Sequence, residues 1–88
     1  MRVYILLFTT SSAFAAERAL SSPLLLNFDF SLCLVPTPKE YSSNCGMSLL
    51  LEGGESLVDK ELEAFWQCVD TILTQKNIHY QIQSINTL

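Results

Sequence analysis

The chain has 88 residues, room for one small domain over residues 1–88 and not for separate catalytic and cofactor units. Charged residues make up only 16% and apolar residues 49%, which excludes intrinsic disorder: there is little charge to keep the chain extended and ample surface to bury. Nine acidic against five basic side chains give a net charge of −4, the wrong sign for gathering phosphates by counterion release, so a nucleic-acid partner is not expected.

Arg2 followed by the apolar run Val3–Phe8, with Ala13-Phe14-Ala15 downstream, admits two readings. One is the charged flank, apolar region and A-x-A site of a secretory signal; the other is a first strand. The run falls just short of the ~7–15 residues of a signal's apolar region, and the hydroxylic cluster Thr9 to Ser12 follows at once. Cleavage after Ala15 would also discard the most hydrophobic segment of a chain with little surface to spare. The strand is the expectation, and with it a cytoplasmic location. No run approaches the ~20 apolar residues of a membrane span, so no membrane partner is expected.

Ser11 and Ser12 are placed to cap a helix through Leu20, whose Ala13, Ala16 and Leu20 form a narrow face of small side chains suited to close docking on a sheet. Ser21-Ser22-Pro23 breaks it. Phe28, Phe30, Leu32 and Leu34 then alternate with Asp29, Ser31, Cys33 and Val35, the two-residue period of a half-buried strand ending at Pro36. From Pro36 to Gly46 there is neither period, and the stretch reads as a loop. Met47, Leu49 and Leu51 begin a third strand, stopped by Gly53-Gly54.

Ser56-x-x-Asp59 resembles a capping box at the start of a second helix. Its Leu62, Phe65, Trp66, Val69, Ile72 and Leu73 make one apolar stripe, read as core rather than as a cofactor site. Tyr80 and Ile82 alternate with Gln81 and Gln83 in a last strand suited to a sheet edge.

The order βαββαβ, made of two split βαβ units with right-handed crossovers, predicts an α+β, ferredoxin-like two-layer sandwich with a four-stranded antiparallel sheet. The most continuously apolar strands, Val3–Phe8 and Leu49–Leu51, belong at its centre. The topology brings the Pro36–Gly46 loop to the same end of the molecule as Thr9 to Ser12, Lys76 and His79.

That loop is where chemistry is expected. A tight hairpin needs ~2 to 5 residues, fewer than lie between Pro36 and Gly46. It closes with Ser42-Ser43-Asn44-Cys45-Gly46, a thiol among small polar neighbours beside a glycine that allows close approach of another molecule. Backbone N–H groups, the start of the first helix and Lys39 are all candidates to favour the thiolate, and His79 shares that end. An inert residue in a turn is the competing reading. Cys33, within a strand, and Cys68, beside the helix stripe, read as small hydrophobes packed inside.

Tyr4-Ile5-Leu6-Leu7-Phe8, Ala15-Ala16-Glu17-Arg18-Ala19-Leu20 and above all Pro36-Thr37-Pro38-Lys39-Glu40 followed by Ser42-Ser43-Asn44-Cys45-Gly46 resemble the selenium/sulfur carrier-like family of small bacterial domains. The resemblance extends from Tyr4 to about Ile85. It departs from the family in a longer connection from Ser21 to Phe28 and an expanded one from Glu52 to Ser56.

The resemblance implies a role in selenium or sulfur handling centred on Cys45, with Thr37, Pro38, Lys39, Glu40, Ser42, Ser43 and Gly46 forming the binding loop. The expected activity is carriage of a persulfide or selenopersulfide, without catalysis, cofactor or metal. The donor would be an enzyme such as a cysteine desulfurase, and the recipient an acceptor protein of selenium or sulfur metabolism. The alternative is a non-covalent interaction or regulatory module with a dimerising or docking sheet face, and a homodimer is allowed by either reading. A thiol-dependent enzyme lacks a base, since His79 is the one histidine. A metal site lacks clustered ligands, since the cysteines and His79 fall on strand, loop and helix.

Overall fold

The computed structural model describes residues 2–8, 12–21, 28–41 and 46–85. Its elements run β1 (Arg2–Phe8), α1 (Ala13–Leu20), β2 (Phe30–Pro36), a single 3₁₀ turn (Lys39–Tyr41), β3 (Met47–Gly53), α2 (Asp59–Gln75) and β4 (Tyr80–Ser84). The strands form one antiparallel sheet in the order β2-β3-β1-β4, the ferredoxin-like arrangement, with the two most apolar strands central. The run that could pass for a signal's apolar region is β1, hydrogen-bonded to a strand on each side.

Register explains the burial. Leu6 faces Leu49, Leu34 also faces Leu49, and Tyr4 and Leu32 face Leu51, so these side chains share the face covered by the helices. Onto it α1 places Ala13, Ala16 and Leu20, and α2 places Phe65, Val69 and Leu73, all buried. The small alanines let α1 lie against β2 and β3 as well as α2. Trp66 sits edge-on to Tyr4, with centroids 4.9 Å apart, and Phe30 stacks on Phe65 at 4.3 Å, so the aromatic stripe is packing, as its spacing predicts.

Ser12 is the N-cap of α1, its carbonyl accepting from the Ala16 N–H at 2.9 Å. Ser11, the other expected cap, lies outside the described residues, as do Thr9, Thr10, Ser22 and Pro23. At the far end of α2 a Schellman motif stops the helix: Asn77 takes the left-handed conformation (φ 56°) and donates to Thr74 O, while Ile78 donates to Leu73 O. Ile78 is buried beside Leu73.

Three local expectations are corrected. Phe28 and Asp29 form a turn rather than strand, because Asp29 is left-handed (φ 57°) and its carbonyl accepts the Gly54 N–H at 2.9 Å. The cap of α2 is Val58, not Ser56: the turn in which Leu57 N–H bonds Gly54 O precedes it, and Glu61 supplies half a capping box by accepting the Val58 N–H at 3.1 Å. Cys33 is exposed, not packed inside. It alternates with Leu32 and Leu34, which face the helices, and so lies on the opposite face of an edge strand. Cys68 is half-buried on α2.

Candidate functional site

Strand direction fixes what stands together. Pro36 pairs with Met47 and Phe8 with Tyr80, so the Pro36–Gly46 connection, the start of α1, the end of α2 and His79 all lie at one end of the sheet. Across it, β3 and β4 are two strand spacings apart, about 9.5 Å, with β1 between. His79 is exposed at the β4 side, whereas Lys39 and Glu40 are exposed at the β2–β3 side.

The connection is shorter than its sequence suggests. The ladder continues one step past Pro36, with Thr37 N–H donating to Gly46 O at 3.0 Å, so only residues 38–45 lie beyond it. Pro38 carbonyl accepts the Tyr41 N–H at 3.0 Å, which closes the Lys39–Tyr41 turn. Two prolines set this geometry: Pro36 falls at a position of the edge strand β2 from which the ladder takes no N–H, and Pro38 leads into the turn with its φ already restricted. Ser42, Ser43, Asn44 and Cys45 lie outside the described residues. Gly46, their described neighbour, is exposed, and a methyl group built on it would meet no described atom within 4 Å.

Below the loop is a hydrogen bond that sequence reasoning missed. The Thr37 and Ser48 hydroxyls lie 2.7 Å apart, and Ser48 is fully buried. Because Leu49 and Leu51 face the helices, Ser48 points to the other face, and Thr37 is its polar partner there. The available signal was one hydroxyl inside the apolar run Met47–Leu51. On the opposite side of the same end, the Tyr80 hydroxyl donates to Asp70 Oδ1 at 2.7 Å, tying β4 to α2. Burial first, then that bond and the charge of Asp70, hold the Tyr80 phenol above its usual range.

Among the described residues no three His, Cys, Asp or Glu side chains gather as a metal cluster, and no helix is long and apolar enough to cross a membrane. A family model described as "Putative Se/S carrier protein-like" matches residues 2–65, well over half of the chain. The chain belongs to this Se/S carrier protein-like family. The match runs from β1 through the loop and into α2, ending at Phe65 rather than near Ile85, and it contains every residue of the candidate binding loop, Cys45 included. No curated protein and no solved structure matches the chain.

Proposed function

We propose that the protein is a selenium or sulfur carrier whose cargo is bound to Cys45. The observation that carries this reading is that the family match encloses a Cys-Gly where the longest connection at its end of the sheet rejoins β3, and that Lys39, Glu40 and Gly46 of that connection are all exposed. In the loading step the Cys45 thiolate attacks the terminal sulfur of a donor persulfide, R–S–SH. A new S–S bond gives Cys45–S–SH, the donor S–S bond breaks, and RS⁻ leaves with the electron pair. A selenopersulfide donor, R–S–SeH, gives Cys45–S–SeH in the same way. Unloading repeats the exchange, with an acceptor thiolate as attacker and Cys45 thiolate as leaving group. Neither step needs a net oxidant, a cofactor or a metal, and the protein acts as a carrier rather than an enzyme.

The donor is a cysteine desulfurase or an enzyme of that kind, the acceptor is a protein of selenium or sulfur metabolism, and the exchange takes place in the reducing cytoplasm, where a thiol stays free between cycles. Incubation with a desulfurase and cysteine, followed by intact mass, tests this. Wild type and Cys33→Ala should gain one reducible chalcogen and Cys45→Ala none. The Cys33 variant is required because that thiol is also exposed. Equal adducts on wild type and Cys45→Ala, or none on wild type, would overturn the proposal.

A further inference from the structure

A cleft at the same end of the molecule carries no assigned role. It lies on the helix layer, between one side of α1 and the turn that follows α2, and has a volume of about 490 Å³. Its described lining divides into apolar Ala15, Ala19 and Ile78, and polar Ser12, Arg18, Lys76 and Asn77.

The walls follow from the local chemistry. Ser12, Ala15 and Ala19 succeed one another at helical spacing beside the buried Ala13–Ala16–Leu20 stripe, and their small side chains keep the wall low. The Schellman turn swings Asn77 outward and buries Ile78, which brings the Lys76–Asn77 segment across from α1.

Charge makes this cleft unusual for the chain. Acidic residues outnumber basic ones nine to five, yet two of the five bases meet here and no acid is among the described lining. Neither Arg18 nor Lys76 has an ion-pair partner among the described residues. Each also stands near the C-terminal end of its helix, where a cation complements the helix dipole, but that explains each charge singly and not their convergence on one cleft.

We infer that the cleft binds a tetrahedral oxyanion, the phosphoryl or sulfuryl group of a small molecule. Two cations balance a dianion, the guanidinium offers a two-pronged donor, and the Asn77 amide adds a neutral one. The volume exceeds that of a bare ion and falls within the range of small-ligand pockets, which leaves space for an organic group attached to the anion. A polyanion is disfavoured by the acidic remainder of the surface. The inference is independent of whether Cys45 carries a chalcogen.

Amide chemical shifts of the ¹⁵N-labelled protein, followed at constant ionic strength while inorganic phosphate is added, test it. Saturable shifts should appear at Ala15, Arg18, Asn77 and Ile78. A sulfate arm separates the two oxyanion sources, with saturation by either one supporting the site. The double variant Arg18→Gln/Lys76→Gln should bind at least about tenfold more weakly, and Lys76→Gln alone about threefold, with the spectrum otherwise preserved since both side chains are exposed. Lys60→Gln, in the first turn of α2 at the other end, should bind as wild type does. Shifts that fail to saturate, an equal response to acetate, or wild-type binding by the double variant would overturn the inference.

Discussion

The two ends of β3 are held in opposite ways, and each has a glycine. At its C-terminal end, Gly53 pairs with Phe30 and has φ 130°, and the adjoining Gly54 N–H bonds the Asp29 carbonyl at 2.9 Å. Arg2 reaches across from β1, its Nη1 donating to Gly54 O at 2.9 Å and Leu57 O at 3.3 Å. At the N-terminal end, the described ties between β2 and β3 beyond the Pro36–Met47 pair are the Thr37–Gly46 backbone bond and the Thr37–Ser48 hydroxyl pair. Among the described residues, β3 is thus tied more heavily at the end away from the Pro36–Gly46 connection.

The largest effect is expected where the fastening is tightest. A Cβ at Gly53 would collide with the Asp29 carbonyl oxygen and come within 3.2 Å of Phe30 Cα, both backbone atoms that cannot swing aside, in a conformation side chains rarely adopt. Gly53→Ala should cost about 3 kcal/mol or more, a fall in Tm of ~12–24 °C for a domain of this size, read by calorimetry. A fall of only a degree or two would mean that this end is no more constrained than the loop end.

Thr37→Val keeps the shape and removes one hydroxyl, leaving the buried Ser48 hydroxyl without its partner. The expected loss is about 1–2 kcal/mol. The comparison sharpens in a second readout: because Thr37 anchors the loop root, the Cys45 alkylation rate in native buffer should change several-fold. A destabilising change at the Gly53 end should leave that rate alone until the protein begins to unfold. Equal changes in rate from both ends would show that the loop and the sandwich open together.

Much of the fold was legible in the sequence, though not all of it. The apolar run of β1, the alternation of β2 and the stripe of α2 each carry their own period, and those periods specify the sandwich and its central strands. The same alternation grouped Cys33 with Asp29 and Ser31; the general preference of cysteine for interiors pointed the other way, and position on an edge strand decided the matter. Arg2 looked like the flank of a signal because its partners, Gly54 and Leu57, lie more than fifty positions away. Ser56 lost the cap of α2 to Val58 for a related reason: the Gly54–Leu57 turn is set by packing against Phe30 and Asp29, which no local pattern encodes. At the candidate site, Thr37 was legible as part of a motif and Ser48 was not, since their bond is made only when β2 and β3 pair.

A smaller effect is expected from the other tie at the loop end, Tyr80 to Asp70. The pair is partly exposed, so Tyr80→Phe should cost under about 1 kcal/mol at neutral pH. Its signature is in pH. The phenol is held above its ordinary value near 10, so the unfolded chain loses this proton first as pH rises. The stability contributed by neutral Tyr80 is complete below about pH 10 and is lost as pH climbs toward the higher folded value. Wild-type Tm should therefore fall more steeply above pH 10 than that of Tyr80→Phe, other titrations being common to both. Parallel curves would remove this tie from the comparison.

The smallest effect should come from the second glycine. A methyl group at Gly46 meets open space among the described residues, so Gly46→Ala should change stability by no more than about 0.5 kcal/mol, against several for the same substitution at the other end of the strand. Loading should respond where stability does not. If Cys45 is loaded as proposed, a methyl group on the residue next to it in sequence should slow transfer from a protein donor, while alkylation by a small reagent proceeds at nearly the wild-type rate. That split belongs to a glycine kept for close approach of another protein. A loss above about 1 kcal/mol would instead assign Gly46 the backbone role that Gly53 has, and the two ends of β3 would then be fastened by the same device.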